Sequence, residues 1–299
     1  ETAHPLGQAR ATRPRGQGAM KSLRKPTRRL GLGLVLAALT LATLLAWSQH
    51  GWSRGERDKR GGVENWGRDE EMPHDTFTFA RIQYDSWGGG WRGRGKWSID
   101  YPESDLNMSF RLQQLTSLKV DPDGTVLTLT EAKLFQYPFI YLIEPGELTF
   151  SDNEVKALRK YLLTGGFLMV DDFWGEAEWR NFEREFRRVF PAREIVELPL
   201  EHEVFQGVFP LKEKPQVPNP RTAIQGARYG ITWERTDAET PHYRGVYDAA
   251  GRLMAIFCHN TDLGDGWEEE SRNEWYFKEF SEPKAYPMGI NIIFYSMTH

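Results

Sequence analysis

Acidic and polar side chains follow several apolar segments of this sequence that are expected to form strands. Asp171 and Asp172 come directly after the apolar run 167–170. The other groups in such positions are Tyr84, Asp85, Glu144, His259, Asn260 and Asp262. The carboxyl ends of parallel strands meet at one edge of an open α/β sheet, where ligands bind. We therefore expect these side chains to converge on one site.

Two adjacent acids repel each other unless something compensates their charge. Asp171 or Asp172, paired with Glu144 or Asp262, offers the two carboxyl groups of a glycoside hydrolase, which lie about 5–5.5 Å or about 6.5–9.5 Å apart. None of these four is a firm catalytic residue. The alternative is that the acids occupy exposed strand ends, with Asp172 capping the following helix and Asp171 accepting backbone N–H bonds.

A second polar cluster spans residues 259–270 and adds Asp265 and Trp267 to the candidate ligand-binding residues. Its oxygens are of the type that Ca²⁺ prefers, but their spacing does not match an EF-hand. We predict a polar binding loop with no metal and no other cofactor. Trp87 and Trp174 are further candidates, since exposed Trp suits contacts with a sugar ring or a partner protein.

Three other chemistries are disfavoured by the residue types. Residues 90–96 resemble the start of a phosphate-binding P-loop, but Trp97 replaces the Ser or Thr that ligates magnesium. Cys258 and His259 are neighbours on a predicted strand, so their side chains point to opposite faces and cannot form a nucleophile–base pair. The sequence also lacks a Gly-x-Ser-x-Gly nucleophile elbow.

The elements that must position these residues alternate between helix and strand. Ser151 and Glu154 have capping-box spacing, and Gly165–Gly166 ends the helix that they begin. Other predicted elements are a strand in 77–84, a helix capped by Ser104 or Asp105, strands at 126–130, 139–143 and 194–198, a helix at 177–189, an extended stretch at 210–230, a hairpin around 248–251 and a helix at 290–297. This alternation predicts an α/β fold, a mainly parallel sheet with helices on both faces.

The N-terminal part of the chain differs in composition from the rest. Residues 30–47 carry no charge and follow a basic segment, which predicts one transmembrane helix with its N-terminus in the cytoplasm. A cleaved signal peptide is the alternative. We expect residues 1–29 to be a disordered basic segment, 48–75 a linker, and 76–299 the α/β domain. This organisation predicts a single-pass protein of the bacterial inner membrane with a periplasmic C-terminal domain.

The charge after residue 50 argues against a nucleic-acid partner, because 41 acidic residues there outnumber 30 basic ones. The expected partners are the membrane, through residues 30–47, and an envelope protein or glycan.

From about Thr76 to its end, the chain resembles the bacterial domain of unknown function numbered 4159. The motifs that carry the resemblance are FTFARIQYDSWG (77–88), YPESDLNMSFRLQQLT (101–116), FIYLIEPG (139–146), LRKYLLTGGFLMVDDFWG (158–175), CHNTDLGDGWE (258–268) and YPMGINIIFYSMTH (286–299). The resemblance implies a flavodoxin-like fold of the class I glutamine amidotransferase type, often tied to a membrane, without an established activity.

In the amidotransferase pattern, a helix, a Gly turn and a strand lead into an elbow that carries the catalytic Cys. Matching residues 164–172 to that pattern places Asp171 at or next to the nucleophile position, where no Cys, Ser or Thr occurs. Amidotransferase chemistry is therefore not expected. Relatives of the trehalose-utilisation type share this layout without the nucleophile, so a carbohydrate ligand is an expectation by fold analogy.

Two functions remain open from the sequence. The first is a non-catalytic module of the cell envelope that binds a polar ligand or a partner. The second is a hydrolase that uses paired carboxylates on a glycan or another polar envelope substrate.

Overall fold

A seven-stranded sheet forms the centre of the domain in the computed structural model, which describes residues 60, 62–68, 75–88 and 95–299. In chain order the strands are β1 Ala80–Gln83, β2 Thr125–Thr128, β3 Phe139–Ile143, β4 Phe167–Phe173, β5 Val196–Glu197, β6 His242–Tyr247 and β7 Leu253–His259. Their spatial order is β2-β1-β3-β4-β7-β6-β5. The first five of that order are parallel, whereas β6 runs antiparallel to both of its neighbours, β7 and β5. The predicted α/β class with a mainly parallel sheet is confirmed.

Helices cover both faces of the sheet. Their bounds are α1 Glu103–Leu115, α2 Asp152–Leu163, α3 Gly175–Val189, α4 Glu203–Gln206, α5 Pro220–Gly226, α6 Leu263–Glu268, α7 Glu274–Tyr276 and α8 Tyr286–Thr298. Helices α1, α6 and α8 pack on one face and α2 and α3 on the other. A π-helix, Phe277–Ala285, leads into α8.

Strand β4 is apolar on both sides because its alternating side chains enter different cores. Phe167 and Met169 belong to the core under α1 and α8, while Leu168 and Val170 belong to the core under α2 and α3. This alternation is the normal geometry of a strand whose two faces are both covered.

The elements around α2 form for the local reasons that the sequence indicates. The Ser151 side chain accepts from the Glu154 N–H and Glu154 binds back to the Ser151 N–H, so the predicted capping box is present. Gly165 has φ 110°, a conformation that favours glycine. Gly166 admits the Tyr161 ring, since a Cβ at this position would lie 2.3 Å from that ring.

Two small strand pairs and four short 3₁₀ turns complete the described part. Thr76–Phe77 pairs in parallel with Lys119–Val120, and Asp85–Ser86 pairs antiparallel with Leu148–Thr149. The 3₁₀ turns are Lys96–Ser98, Ala132–Gln136, Pro145–Glu147 and Glu269–Ser271.

Three local predictions are wrong. Strand β4 continues to Phe173, so Asp171 and Asp172 lie within it rather than after it. Ser104 and Asp105 do not cap α1 but lie inside it, where the Arg81 guanidinium binds both side chains. Asp172 does not cap α3, whose first N–H groups are bound by Asn260 and Asp237.

The stretch 210–230 is not wholly extended, because it contains α5. Asn219 caps this helix by accepting from the Thr222 N–H at 2.9 Å, and Pro220 occupies its first position. The hairpin of β6 and β7 around residues 248–251 and the final helix, predicted at 290–297, are present.

No helix in the described part of the chain is long and apolar enough to cross a membrane. The predicted span, residues 30–47, lies outside the described residues, as do residues 1–29 and most of the predicted linker.

Candidate functional site

A cleft of about 370 Å³ opens at the carboxyl edge of the sheet, beyond β3 and β4. Among the side chains predicted from the sequence, those that line it are Glu144, Asp172, Trp174, Asp262 and Asp265. The other lining residues are Lys96, Ile99, Asp100, Glu178, Asn219, Glu234 and Arg235. The cleft thus brings together seven carboxyl groups and two basic side chains.

The backbone at this edge adopts an uncommon conformation. The non-glycine residues with positive φ in the described part are Asp100, Glu144, Asp172 and Asn260, with φ between 53° and 62°. Each such residue costs on the order of 1–3 kcal/mol, and such residues cluster at functional sites. Asp100, Glu144 and Asp172 line the cleft, so most of this strain is concentrated around it.

The two basic side chains of the cleft are each paired with an acid. Lys96 Nζ lies 2.8 Å from Glu144 Oε2, and this bond keeps the pKa of Lys96 raised although burial acts to lower it. Arg235 forms an ion pair with Glu178. Among the described residues, no basic side chain forms an ion pair with Asp100, Asp172, Asp262 or Asp265.

The unpaired acids hold their protons more tightly than ordinary carboxyl groups. Burial raises the pKa of Asp265 to about 7. Burial also raises the pKa values of Asp100, Asp172 and Asp262 well above the usual range, and neighbouring carboxylates raise them further. At neutral pH the cleft therefore presents a mixture of protonated and ionised carboxyl groups.

Three of these acids come close enough to share one ion. Asp100, Asp262 and Asp265 each offer a carboxylate oxygen, and these oxygens lie within 4.8 Å of one another. Asp262 is the N-cap of α6, and its Oδ1 accepts from the Asp265 N–H at 2.7 Å. Asp100 Oδ2 is buried without a hydrogen-bond partner. This group of carboxylates could hold a cation.

Asp172 faces the cleft from the carboxyl end of β4. It is 6% exposed, and its Oδ1 accepts from the Trp174 indole N–H at 3.1 Å. The backbone N–H of Trp174 donates to Glu178 Oε2 at 2.7 Å. Trp174 is thus buried beside Asp172 and orients its carboxylate, instead of offering an exposed ring.

Asp171 does not line the cleft, because it points to the opposite side of the strand under the first turn of α6. Its Oδ2 accepts from the Gly264 N–H at 3.0 Å and from the Tyr141 hydroxyl at 3.1 Å, while Oδ1 is buried without a partner. Burial raises the pKa of Asp171 to about 7. Asp171 thus accepts a backbone N–H bond, as the alternative drawn from the sequence expects. A cleft nevertheless lies beside it.

Arg81 stabilises the segment that carries Lys96 and Asp100. This fully buried guanidinium donates to the Trp97 and Ile99 carbonyls, both at 2.9 Å, and to Asp105. Burial alone would lower the pKa of Arg81, but the Asp105 carboxylate more than offsets this and the pKa is raised.

The remaining sequence-predicted residues lie outside the cleft. Asp85 is exposed in a small strand pair and Trp87 is 72% exposed, whereas Trp267 is fully buried in the core. The Tyr84 hydroxyl donates to the Ile143 carbonyl at 2.7 Å and so supports the end of β3.

Asn260 and His259 fix the start of α3. The Asn260 side chain accepts from the Gly175 N–H and donates to the Thr240 carbonyl, both at 2.8 Å. His259 Nε2 donates to the Gly175 carbonyl and Nδ1 accepts from Arg244, both at 3.1 Å. Burial, with the nearby Arg244 charge, lowers the pKa of His259 to about 3, so the ring is neutral and structural.

Sequence reasoning missed Glu178, in the first turn of α3, and the cleft residues that lie outside the long helices and strands: Lys96, Ile99, Asp100, Asn219, Glu234 and Arg235. One signal was available, because Asn219-Pro220 is the Ncap–N1 pattern that begins a helix. The other residues follow no buried strand and carry no local mark of their position.

Residues 78–297 match the family described as domain of unknown function (DUF4159), so the chain belongs to this family. The resemblance to that family is confirmed. No curated protein matches the chain.

Proposed function

We propose that this domain is a non-catalytic binding module of the cell envelope, and that its cleft takes a hydroxyl-rich ligand such as a glycan. The observation that carries the proposal is the convergence of seven carboxyl groups in one cleft of about 370 Å³. This volume falls in the range of small-molecule sites, about 300–1,000 Å³.

The protonation of the cleft suits sugar hydroxyl groups, which both donate and accept hydrogen bonds. Ionised carboxylates accept hydrogen bonds, whereas protonated ones also donate. The pKa of about 7 keeps both forms of Asp265 available near neutral pH, and burial raises the pKa values of Asp172 and Asp262 as well. Lys96 and Arg235 add donors near the charged groups.

The position of the cleft agrees with binding in a doubly wound sheet. When the five parallel strands are numbered 1 to 5 along the chain, with β7 as the fifth, their spatial order in the sheet is 2-1-3-4-5. This is the order of flavodoxin-like folds, which bind ligands where the strand order reverses. Glu144 follows β3, one of the two strands at that reversal. This order supports the flavodoxin-like, amidotransferase-like assignment.

Attachment to the bacterial inner membrane is part of the proposal. The uncharged run at 30–47 after a basic segment supports an N-terminal anchor that leaves the α/β domain in the periplasm. Accessibility to a protease added outside spheroplasts tests this placement; protection of the domain from that protease would contradict it.

The test of ligand binding is a panel of soluble envelope glycan fragments, offered to the full chain by calorimetry at pH 7.5. We expect at least one fragment to bind the wild type and the Asp85→Asn control equally. Asp172→Asn should weaken that binding at least tenfold, since Asp172 faces the cleft and Asp85 does not. Equal binding by all three proteins, or no binding of any fragment, would contradict the proposal.

A hydrolase is the second candidate, and one observation favours it. Asp172 lies near the end of β4, shortly before α3, with φ 56°, a strained position of the kind that presents nucleophiles in other α/β enzymes. In the same cleft Asp265, with a pKa of about 7, is suited to donate a proton near neutral pH. Turnover of a bound fragment by the wild type that Asp172→Asn abolishes would favour the hydrolase; binding without turnover favours the module.

A further inference from the structure

We propose that Asp100, Asp262 and Asp265 form a site for one divalent cation, of the Ca²⁺ class, through which the cleft holds its ligand. This inference rests on the proposed function of the cleft as a ligand-binding site, but the occupancy of the cation site is tested separately.

The spacing of the three carboxylates fits one ion. Oxygens bound to Ca²⁺ lie about 2.3–2.6 Å from it, so any two of them are at most about 5 Å apart. The three carboxylate oxygens lie within 4.8 Å of one another. No movement of the backbone is needed to bring them into one coordination sphere.

A separate observation points to a missing ligand at this place. Asp100 Oδ2 is buried and has no hydrogen-bond partner among the described residues. Asp262 is only 4% exposed, and its Oδ1 accepts from the Asp265 N–H. A carboxylate oxygen that is buried and unpaired is costly, and a bound cation removes that cost.

Among the described residues, no basic side chain forms an ion pair with Asp100, Asp262 or Asp265, although the charge of Arg81 acts on Asp100. Lys96 is bound to Glu144, and Arg235 to Glu178. A neighbouring group formed by Asp265, Glu268 and Glu269 differs, because Arg272 pairs with both glutamates there. We therefore assign the ion to Asp100, Asp262 and Asp265.

The donor atoms select the kind of ion. The three ligands are carboxylate oxygens, and no His or Cys lines the cleft among the described residues. Oxygen-only sites suit hard cations such as Ca²⁺ and Mg²⁺ rather than Zn²⁺ or Cu²⁺. Ca²⁺ takes six to eight oxygens in flexible geometry, so three carboxylates leave positions open for ligand hydroxyl groups in the roomy cleft.

The experiment is a calorimetric titration of CaCl₂, and separately MgCl₂, into the full chain after removal of metal with EDTA. We expect saturable binding of one Ca²⁺ per chain to the wild type and to Asp85→Asn, the exposed control. Asp100→Asn and Asp262→Asn should each weaken Ca²⁺ binding at least tenfold. Mg²⁺ should bind at least tenfold more weakly than Ca²⁺.

The absence of saturable Ca²⁺ binding to the wild type would overturn the inference, and so would unchanged affinity in both cleft variants. Two variants at separate positions guard against a folding defect, and Asn at 262 retains the ability to cap α6. Each variant is checked by its melting temperature in EDTA before titration.

A second arm separates this inference from the proposed function. A glycan fragment that binds only with Ca²⁺ present supports both. Fragment binding that is unaffected by EDTA overturns the inference that the cleft holds its ligand through the cation and leaves the proposed function standing. Saturable Ca²⁺ binding with no fragment bound supports the cation site and contradicts the glycan ligand.

Discussion

Arg81 is fully buried and the acids of the cleft are buried or half-buried at the same edge of the sheet, but only Arg81 has a full set of partners. Its guanidinium binds Asp105, Ser104 and two backbone carbonyls. The cleft instead gathers seven acids around two bases, and Asp100 Oδ2 has no hydrogen-bond partner in the part of the chain that the structure describes. Both groups are shielded from solvent, so they differ in whether partner groups compensate their charge.

This difference distinguishes charged groups that stabilise the fold from charged groups that are available to bind a ligand. A paired buried charge is costly to break, because removing one partner leaves the other unpaired and desolvated. An uncompensated acid in a cleft destabilises the folded chain until a ligand neutralises it, as sites commonly do. Substituting acids in the two regions should therefore change stability in opposite directions.

The largest effect is expected in the paired region. Asp105→Asn leaves the Arg81 guanidinium buried without its carboxylate, so the free energy of unfolding should fall by about 3–5 kcal/mol. Urea unfolding of the full chain measures this. The matched control is Glu103→Gln on the same helical turn, which should cost at most about 1 kcal/mol. Equal losses in both variants would contradict the assigned role of the pair.

The next effect is a pH dependence that belongs to Asp171. Its pKa of about 7 lies above the unfolded value, so the folded chain binds the proton more tightly and its stability falls as pH rises from about 4 to 7. Lowering the pH from 8 to 5 should stabilise the wild type by about 2–3 kcal/mol more than it stabilises Asp171→Asn. This figure follows from about 1.4 kcal/mol for each pH unit below 7. Melting curves at both pH values measure the difference; parallel shifts in the two proteins would contradict it.

A smaller effect is expected from calcium in the unpaired region. At a concentration 100-fold above its dissociation constant, Ca²⁺ should raise the free energy of unfolding of the wild type by about 2.7 kcal/mol at most, since binding to the unfolded chain reduces the effect. Asp262→Asn should show less than half of that gain. Melting with CaCl₂ or EDTA measures both; equal gains in the two proteins would place the ion elsewhere.

The smallest effect is expected at the residues that lie outside both regions. Asp85→Asn removes an exposed acid of a two-residue strand, so stability should change by less than about 0.5 kcal/mol at any pH. The same melting curves supply this value. A larger change would mean that Asp85 has a partner beyond the contacts described.

The sequence predicts those parts of the fold that depend on neighbouring residues. The capping box of Ser151 and Glu154, strand Phe139–Ile143 and the hairpin around 248–251 all have local signals and are present. The predicted end of β4 was wrong because the strand was traced by its apolar residues. Asp171 is polar but buried, and the strand continues through it.

The composition of the site was only partly predictable. Glu144, Asp172 and Asp262 come together because strand ends share an edge, which topology rules anticipate. Asp100 and Glu234 reach the cleft through loops whose course depends on distant contacts, such as the Arg81–Asp105 pair, whose members are 24 residues apart. No local pattern encodes such contacts.

The central claim is that the acids of the cleft are kept for a ligand at the expense of stability. The most direct measurement compares the melting temperatures of Asp172→Asn, Asp105→Asn and the wild type, all in EDTA at pH 8. Asn tolerates the positive φ of Asp172 and can still accept from Trp174, so this change removes little but charge. Asp172→Asn should melt above the wild type and Asp105→Asn below it. If Asp172→Asn also melts below the wild type, Asp172 is a structural acceptor and the claim fails.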